Sequence, residues 1–208
     1  MKYLIVGLGN VGDNYNNTRH NIGFKILDAM AQASNVSFCD KRYGFVATTK
    51  YKGRDLTLLK PSTFMNLSGN AVNYWIKKEK IPIENTLIIV DDIALPLGSL
   101  RLKPKGGTGG HNGLTNISEV LGTNEYARLR FGIGAEYHKG NQINYVLGAW
   151  FPEEIKIIEE KMPVAIEIIK SFVFAGLELT MTAFNKEGKV KVEKPQPENS
   201  APKNRPEQ

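Results

Sequence analysis

Lys2-Tyr3-Leu4-Ile5-Val6-Gly7-Leu8-Gly9-Asn10-Val11-Gly12 is the stretch on which the fold turns. Residues 2–7 form a short apolar run ending in glycine, as a buried strand does. Gly7, Gly9 and Gly12 then satisfy the G-x-G-x-x-G fingerprint of a dinucleotide site. That site requires a helix beginning at the third glycine, because the pyrophosphate rests on its N-terminus. Here Asp13-Asn14-Tyr15-Asn16-Asn17-Thr18 follows, and residues 8–20 are polar, Asn-rich and too irregular for a helix. Apolar positions recur at helical spacing only from Ile22, through Ile26, Leu27 and Met30, so the first helix is expected after His20. No convincing acidic residue closes a second strand to hold a ribose. The reading is strand, functional loop, helix, with a dinucleotide-binding enzyme as the weaker alternative.

Phe45 to Tyr51 and Leu56 to Leu59 flank Gly53 and read as a hairpin closing on Lys60-Pro61. Asn66 to Lys80 is amphipathic through Ala71, Val72, Trp75 and Ile76, with Asn66 placed to cap it or to serve a site, or both. Leu87 to Val90 is the most strand-like run, with Asp91-Asp92 at its C-terminal edge. Leu100 and Leu102 flank a further strand, and Lys103 to Gly113 form a basic, glycine-rich loop. Leu114 to Leu121 reads as a helix and Arg128 to Ile133 as a strand. Pro152 to Gly176 reads as a long helix that Pro163 kinks or breaks. Strands alternating with helices predict a single α/β domain, a twisted mixed β-sheet flanked by helices, since the hairpin cannot be parallel. Sites in such folds gather at the carboxyl ends of strands, where Gly9-Asn10 and Asp91 both fall.

The 208 residues suffice for one sizeable core, and the predicted domain spans 1–184. Residues 185–208 carry Pro195, Pro197, Pro202 and Pro206 among Lys, Glu, Asn and Gln, and are expected to be a disordered tail. The strongest apolar runs, Tyr3 to Val6 and Leu87 to Val90, fall far short of the ~20 residues of a membrane helix. Without an apolar leader after Met1-Lys2, and with one cysteine, Cys39, the chain reads as cytoplasmic. Cys39 itself reads as a small apolar residue at a strand end. Lys plus Arg number 27 against 21 Asp plus Glu, a net charge of +6, and the pI is near 9.3. Only +2 of that belongs to residues 185–208, with six basic and four acidic side chains, so a polyanionic partner would meet the folded part.

Two of the three histidines lie in segments that no core needs: Thr18-Arg19-His20-Asn21 and Gly109-Gly110-His111-Asn112-Gly113. Histidine exchanges a proton near neutral pH, asparagine orients a polar substrate without charge, and glycine admits close approach. The loop Gly106 to Gly110 lacks the Gly-Lys-Ser/Thr of a phosphate cradle, and no G-x-S-x-G elbow exists. His20, His111 and His138 are too scattered along the chain for metal ligation, so neither metal nor cofactor is expected. Hydrolysis without a covalent nucleophile needs a base for water, a group fixing the base, and donors for the oxyanion. His20, Asp91, and Asn10, Asn66 and Asn112 supply that list, although Asp91 serves a turn or cap equally well.

The motifs Gly7 to Gly12, Tyr15, Thr18 to Asn21, Lys60 to Gly69, Asp91-Asp92, Leu95 to Gly98, Gly109 to Leu114 and Arg128 to Gly134 together resemble bacterial peptidyl-tRNA hydrolase, in order from residue 2 to about 184. The resemblance implies cleavage of the ester between a peptide and the 3′-terminal ribose of tRNA by a monomer. It implies His20 as general base, Asp91 as its supporting carboxylate, and Asn10 as the group that tells blocked from free amino groups. Tyr15, Phe64, Asn66 and Asn112 then match tRNA or peptide-end contacts, Met65 and His111 line the same cleft, and Lys103 and Arg130 resemble the pair receiving the tRNA 5′-phosphate. Val11 stands where the family usually has Pro, Ala94 where it often has a second Asp, and Thr108 where some members have His. An RNA-binding module without turnover is the competing class; it has no need of a His20–Asp91 pair.

Overall fold

The computed structural model describes residues 1–138 and 140–185. Strands are β1 Lys2–Gly7, β2 Cys39–Lys41, β3 Gly44–Tyr51, β4 Arg54–Pro61, β5 Thr86–Asp92, β6 Leu100–Lys103 and β7 Ala127–Gly132. Helices are α1 Ile22–Ala33, α2 Ser68–Glu79, α3 Asn112–Leu121, α4 Gln142–Val146, α5 Pro152–Ala175 and α6 Leu177–Phe184. One seven-stranded sheet runs β2-β3-β4-β1-β5-β7-β6. β1 pairs in parallel with β4 and β5, and β5 with β7, while β2, β3 and β6 pair antiparallel with their neighbours. The sheet is therefore mixed, as the hairpin required.

β1 and β5 are continuous apolar runs because both their faces are buried. Tyr3, Ile5, Leu87 and Ile89 pack with α1 and α5, whereas Leu4, Val6, Ile88 and Val90 pack with α2 and α3. The β3–β4 turn places Lys52 and Gly53 at φ 44° and 76°, the two left-handed positions of a type I′ hairpin.

The glycine fingerprint serves packing. A side chain on Gly7 would meet the Gly23 carbonyl oxygen at 2.2 Å, so β1 and α1 approach backbone to backbone. After Gly12 come only two short 3-10 turns, Asp13–Tyr15 and Arg19–Asn21, and α1 begins at Ile22. The dinucleotide alternative has no helix where its pyrophosphate would sit.

Several boundaries differ from expectation. α2 starts at Ser68, and Asn66 is exposed within a preceding 3-10 turn, Met65–Leu67, so it does not cap the helix; Leu67 holds the cap position with no side-chain bond. α3 starts at Asn112, two residues early, because His111 caps it through its ring. α5 passes through Pro163 unbroken. The ~3 kcal/mol that an interior proline costs is offset by a buried stripe including Ile158, Met162, Ala165, Ile169 and Phe172. Short β2, α4 and α6 had no sequence signal, and Cys39 opens β2 exposed to solvent. The tail expectation for 186–208 lies outside the described residues. Asn185, grouped with it by composition, pairs with β6: its Oδ1 accepts from Leu102 N–H at 3.0 Å and its Nδ2 donates to the Leu102 carbonyl at 2.8 Å. No helix among the described residues is long and apolar enough to cross a membrane.

Candidate active site

The carboxyl ends of β1 and β5 lie side by side, because β1 sits between β4 and β5. β1 runs on into Asn10, β5 ends on Asp91-Asp92, and the loops carrying His20 and His111 close over this edge. His20 and His111, far apart in the chain, converge on one carboxylate, with ring centroids 4.8 Å apart. Their distance along the chain counted against a shared set of ligands, but sequence spacing carries no information about strand order.

His20 Nδ1 lies 2.9 and 3.0 Å from the two Asp91 oxygens, and His111 Nε2 lies 3.0 Å from Asp91 Oδ1. Burial by itself would raise the Asp91 pKa, but electrostatic attraction and hydrogen bonding from the facing N–H groups of His111, then of His20, outweigh it and hold the carboxyl well below the usual range. Ionised Asp91 only accepts, so both facing nitrogens donate. On His111 this agrees with an independent constraint: its Nδ1 accepts from Gly113 N–H at 3.1 Å and Leu114 N–H at 3.4 Å, so its proton sits on Nε2. On His20 it leaves Nε2 with a lone pair and no partner among the described residues.

These three side chains also bring their ligand atoms within 4.8 Å of one another, close enough to hold a metal ion. The His111 tautomer argues against that use. A metal-bound histidine donates its second N–H outward, whereas His111 Nδ1 accepts from two backbone donors.

Asn10 is fixed from both sides. Its N–H donates to Asn21 Oδ1 at 2.8 Å and its carbonyl accepts from Asn21 Nδ2 at 2.9 Å. Its own Oδ1 accepts from Met65 N–H at 3.0 Å, which fixes the orientation of Nδ2, a donor with no partner among the described residues. Met65 is buried, and a side chain on Gly113 would meet its Sδ at 2.7 Å and the His111 ring at 3.1 Å, which places Met65 beside the cluster. Phe64 is 65% exposed, and Asn66 and Asn112 are exposed; none of these three makes a side-chain hydrogen bond among the described residues. Tyr15 is half-buried, and its carbonyl accepts from the Thr18 hydroxyl at 2.9 Å.

Lys103 and Arg130 stand apart from this cluster. The register Arg101↔Arg130 and Lys103↔Arg128 places all four cations on one face of the β6–β7 pair. Lys103 is exposed, whereas Arg130 is ion-paired with Asp92.

Arg19 escaped the sequence reading as a functional residue. It is 2% exposed, donates to the Ala149 carbonyl at 2.9 Å and to Glu154 at 2.7 Å, and lies 4.4 Å from the Tyr145 ring centroid. It pins the residue before His20 to the start of α5. A cation buried among aromatic rings so distant in sequence leaves no local signal.

A histidine oriented by a buried carboxylate, with fixed amide donors beside it at the carboxyl edge of an α/β sheet, is the equipment of a hydrolytic enzyme. Comparison with known proteins names the kind. Residues 4–194 match the family described as peptidyl-tRNA hydrolase, ten residues past the expected boundary at 184. The chain is 62% identical over 186 residues to the peptidyl-tRNA hydrolase of Bacteroides fragilis, covering 89% of this chain and 100% of that one. It is 61% identical to that of Phocaeicola vulgatus over the same shares. The crystal structure of peptidyl-tRNA hydrolase from Acinetobacter baumannii superposes with a TM-score of 0.83 at 34% identity, covering 88% of this chain and 94% of that one. The chain belongs to the peptidyl-tRNA hydrolase family, and its reaction is the hydrolysis of peptidyl-tRNA.

Proposed function

We propose that His20 Nε2 takes the proton of a water molecule as that water attacks the ester carbonyl joining the peptide to the 3′-terminal ribose. Asp91 holds the His20 ring in the required tautomer and stabilises the imidazolium that forms. The protonated ring then returns its proton to the departing ribose oxygen as the C–O bond breaks, which gives a peptide acid and free tRNA. Neutral His111, donating to the same carboxylate, restrains Asp91. The free Asn10 Nδ2 donates to the substrate beside the reacting carbonyl and reads whether the amino group is blocked. Tyr15, Phe64, Met65, Asn66 and Asn112 receive the RNA 3′ end and the peptide end, and Lys103 and Arg130 the tRNA 5′-phosphate.

The observation that carries this reading is the tautomer argument: both nitrogens facing Asp91 must donate, so the one nitrogen left able to accept a proton is His20 Nε2. RNA binding alone needs no such arrangement. On this reading the chain acts as a cytoplasmic monomer. Incubation with N-acetyl-aminoacyl-tRNA and aminoacyl-tRNA in parallel tests the assignment. The wild type should cleave the first and spare the second, and Asn10→Ala should narrow that preference. A His20→Ala protein that still cleaves at the wild-type rate would remove His20 from the role of base.

A further inference from the structure

Away from the catalytic edge, the β2–β3 turn and the exposed side of α2 flank a shallow, open cleft of about 590 Å³ lined by Arg42, Tyr43, Asn70, Asn73, Tyr74, Lys77 and Lys78. It contains three cations and no carboxylate. The nearby Glu79 is occupied by Lys2 at 3.0 Å. The aromatic rings are arranged in advance: Tyr43 and Tyr74 meet edge to face at 5.4 Å, and the Arg42 guanidinium lies 5.2 and 5.3 Å from their centroids. The turn is anchored as well. The Arg42 carbonyl accepts from Trp75 Nε1 at 3.0 Å, and the Tyr43 carbonyl from Ser62 N–H at 3.0 Å. Tyr43 is held at φ 65°, a left-handed conformation costly for a bulky residue, while the residue stays 37% exposed. The fold thus holds a strained aromatic residue toward solvent beside three cations.

We propose that this cleft binds the ribose-phosphate backbone of the substrate tRNA outside its acceptor end, with the Tyr43 ring stacking on a base. Aromatic faces interleaved with cations suit RNA, whose bases all offer a π-face and whose phosphates need neutralising. Asn66, Asn70, Asn73 and Lys77 follow helical spacing, so a polar stripe leads from the turn holding Met65 into the cleft. In that respect the inference rests on the substrate end lying at Phe64–Asn66. The cleft is also distinct from the Lys103 and Arg130 row: β3 and β6 are five strand spacings apart in the sheet order, ~24 Å, with the catalytic edge between them.

Binding of deacylated tRNA, followed by fluorescence anisotropy over a salt series, tests this without requiring catalysis. Arg42→Gln/Lys77→Gln/Lys78→Gln should weaken binding about tenfold at low salt and reduce the slope of log Kd against log salt by about 2. Tyr43→Ser should weaken binding with the slope unchanged. In cleavage assays the triple variant should raise KM for full-length N-acetyl-aminoacyl-tRNA and leave KM for a short 3′-end fragment at the wild-type value. An unchanged salt slope in the triple variant, or an equal loss on the fragment, would overturn the proposal. A wild-type protein that binds tRNA with the expected slopes yet fails to cleave would sink the catalytic assignment and leave this site standing.

Discussion

Asp91 and Asp92 are neighbours at the end of β5, yet they do opposite work. Asp91 is buried and faces two imidazoles, each held in one tautomer. Asp92 is partly exposed, accepts from Ala94 N–H at 2.8 Å and neutralises Arg130. The first pairing fixes which histidine nitrogen can accept a proton. The second holds a cation at the edge of the proposed phosphate site. One residue of displacement along a strand turns the side chain to the other face of the sheet, which on the proposed mechanism separates chemistry from binding.

The most severe disruption is to remove the proposed base. Loss of a general base costs 10² to 10⁴ in rate, so His20→Ala should lower kcat on N-acetyl-aminoacyl-tRNA by roughly that factor. Circular dichroism should still report a folded protein.

Next come the two carboxylates, compared directly. Asp91→Asn should slow turnover by less than His20→Ala, because the amide oxygen can still accept from His20 Nδ1 and hold the ring. Asp92→Asn should leave turnover of a short 3′-end fragment unchanged. Acid unfolding should separate them again. The Asp91 pKa is lowered in the fold, so its contribution to stability is fully present above the unfolded value of about 3.9 and is lost as pH falls through the folded one. The stability gap between wild type and Asp91→Asn should therefore shrink as pH drops below about 4. A gap that is flat across that window would mean that the charge of Asp91 contributes nothing to folding.

How much of this contrast the sequence revealed follows from range. The apolar runs of β1 and β5, the hairpin and the start of α1 are patterns within a dozen residues, and all were legible. So was the placing of Asn10 and Asp91 at strand ends, which follows from the fold class. The role of His111 was not legible beyond lining the cleft, because its partner on Asp91 lies in another loop and its capping of α3 needs the helix boundary. Asn66 misled for a related reason: a 3-10 turn ahead of α2 displaces the cap, and nothing local announces it. Arg19 is the extreme case, its burial depending on residues 145–154.

The binding half of the contrast predicts smaller effects. Lys103→Ala/Arg130→Ala should raise KM for full-length tRNA substrate severalfold and hardly alter the short fragment, which lacks the distant phosphate. Asp92→Asn should do the reverse. It frees the Arg130 cation from its partner and should tighten tRNA binding at low salt, with the gain fading as salt is added. If Asp92→Asn weakens tRNA binding instead, the ion pair orients Arg130 and does not merely neutralise it.

The smallest effect tests where the folded unit ends. Residues 185–208 were grouped by composition, yet Asn185 forms a reciprocal pair with Leu102 on β6, and its carbonyl accepts from Arg101 at 2.6 Å. A chain ending after Asn185 should keep the wild-type melting temperature and short-fragment turnover. It should lose a little affinity for whole tRNA at low salt, since the removed residues carry +2. A chain ending after Phe184 loses those hydrogen bonds as well, each worth about 1 kcal/mol net, and leaves Leu102 beside solvent at the sheet edge. It should melt a few degrees lower. β6 also carries Lys103, so its loosening should raise KM for whole tRNA beyond the charge effect alone. Equal melting of the two truncations would show that water replaces Asn185 without cost. A fall in short-fragment turnover in the longer truncation would instead bring residues past 185 into the catalytic cleft.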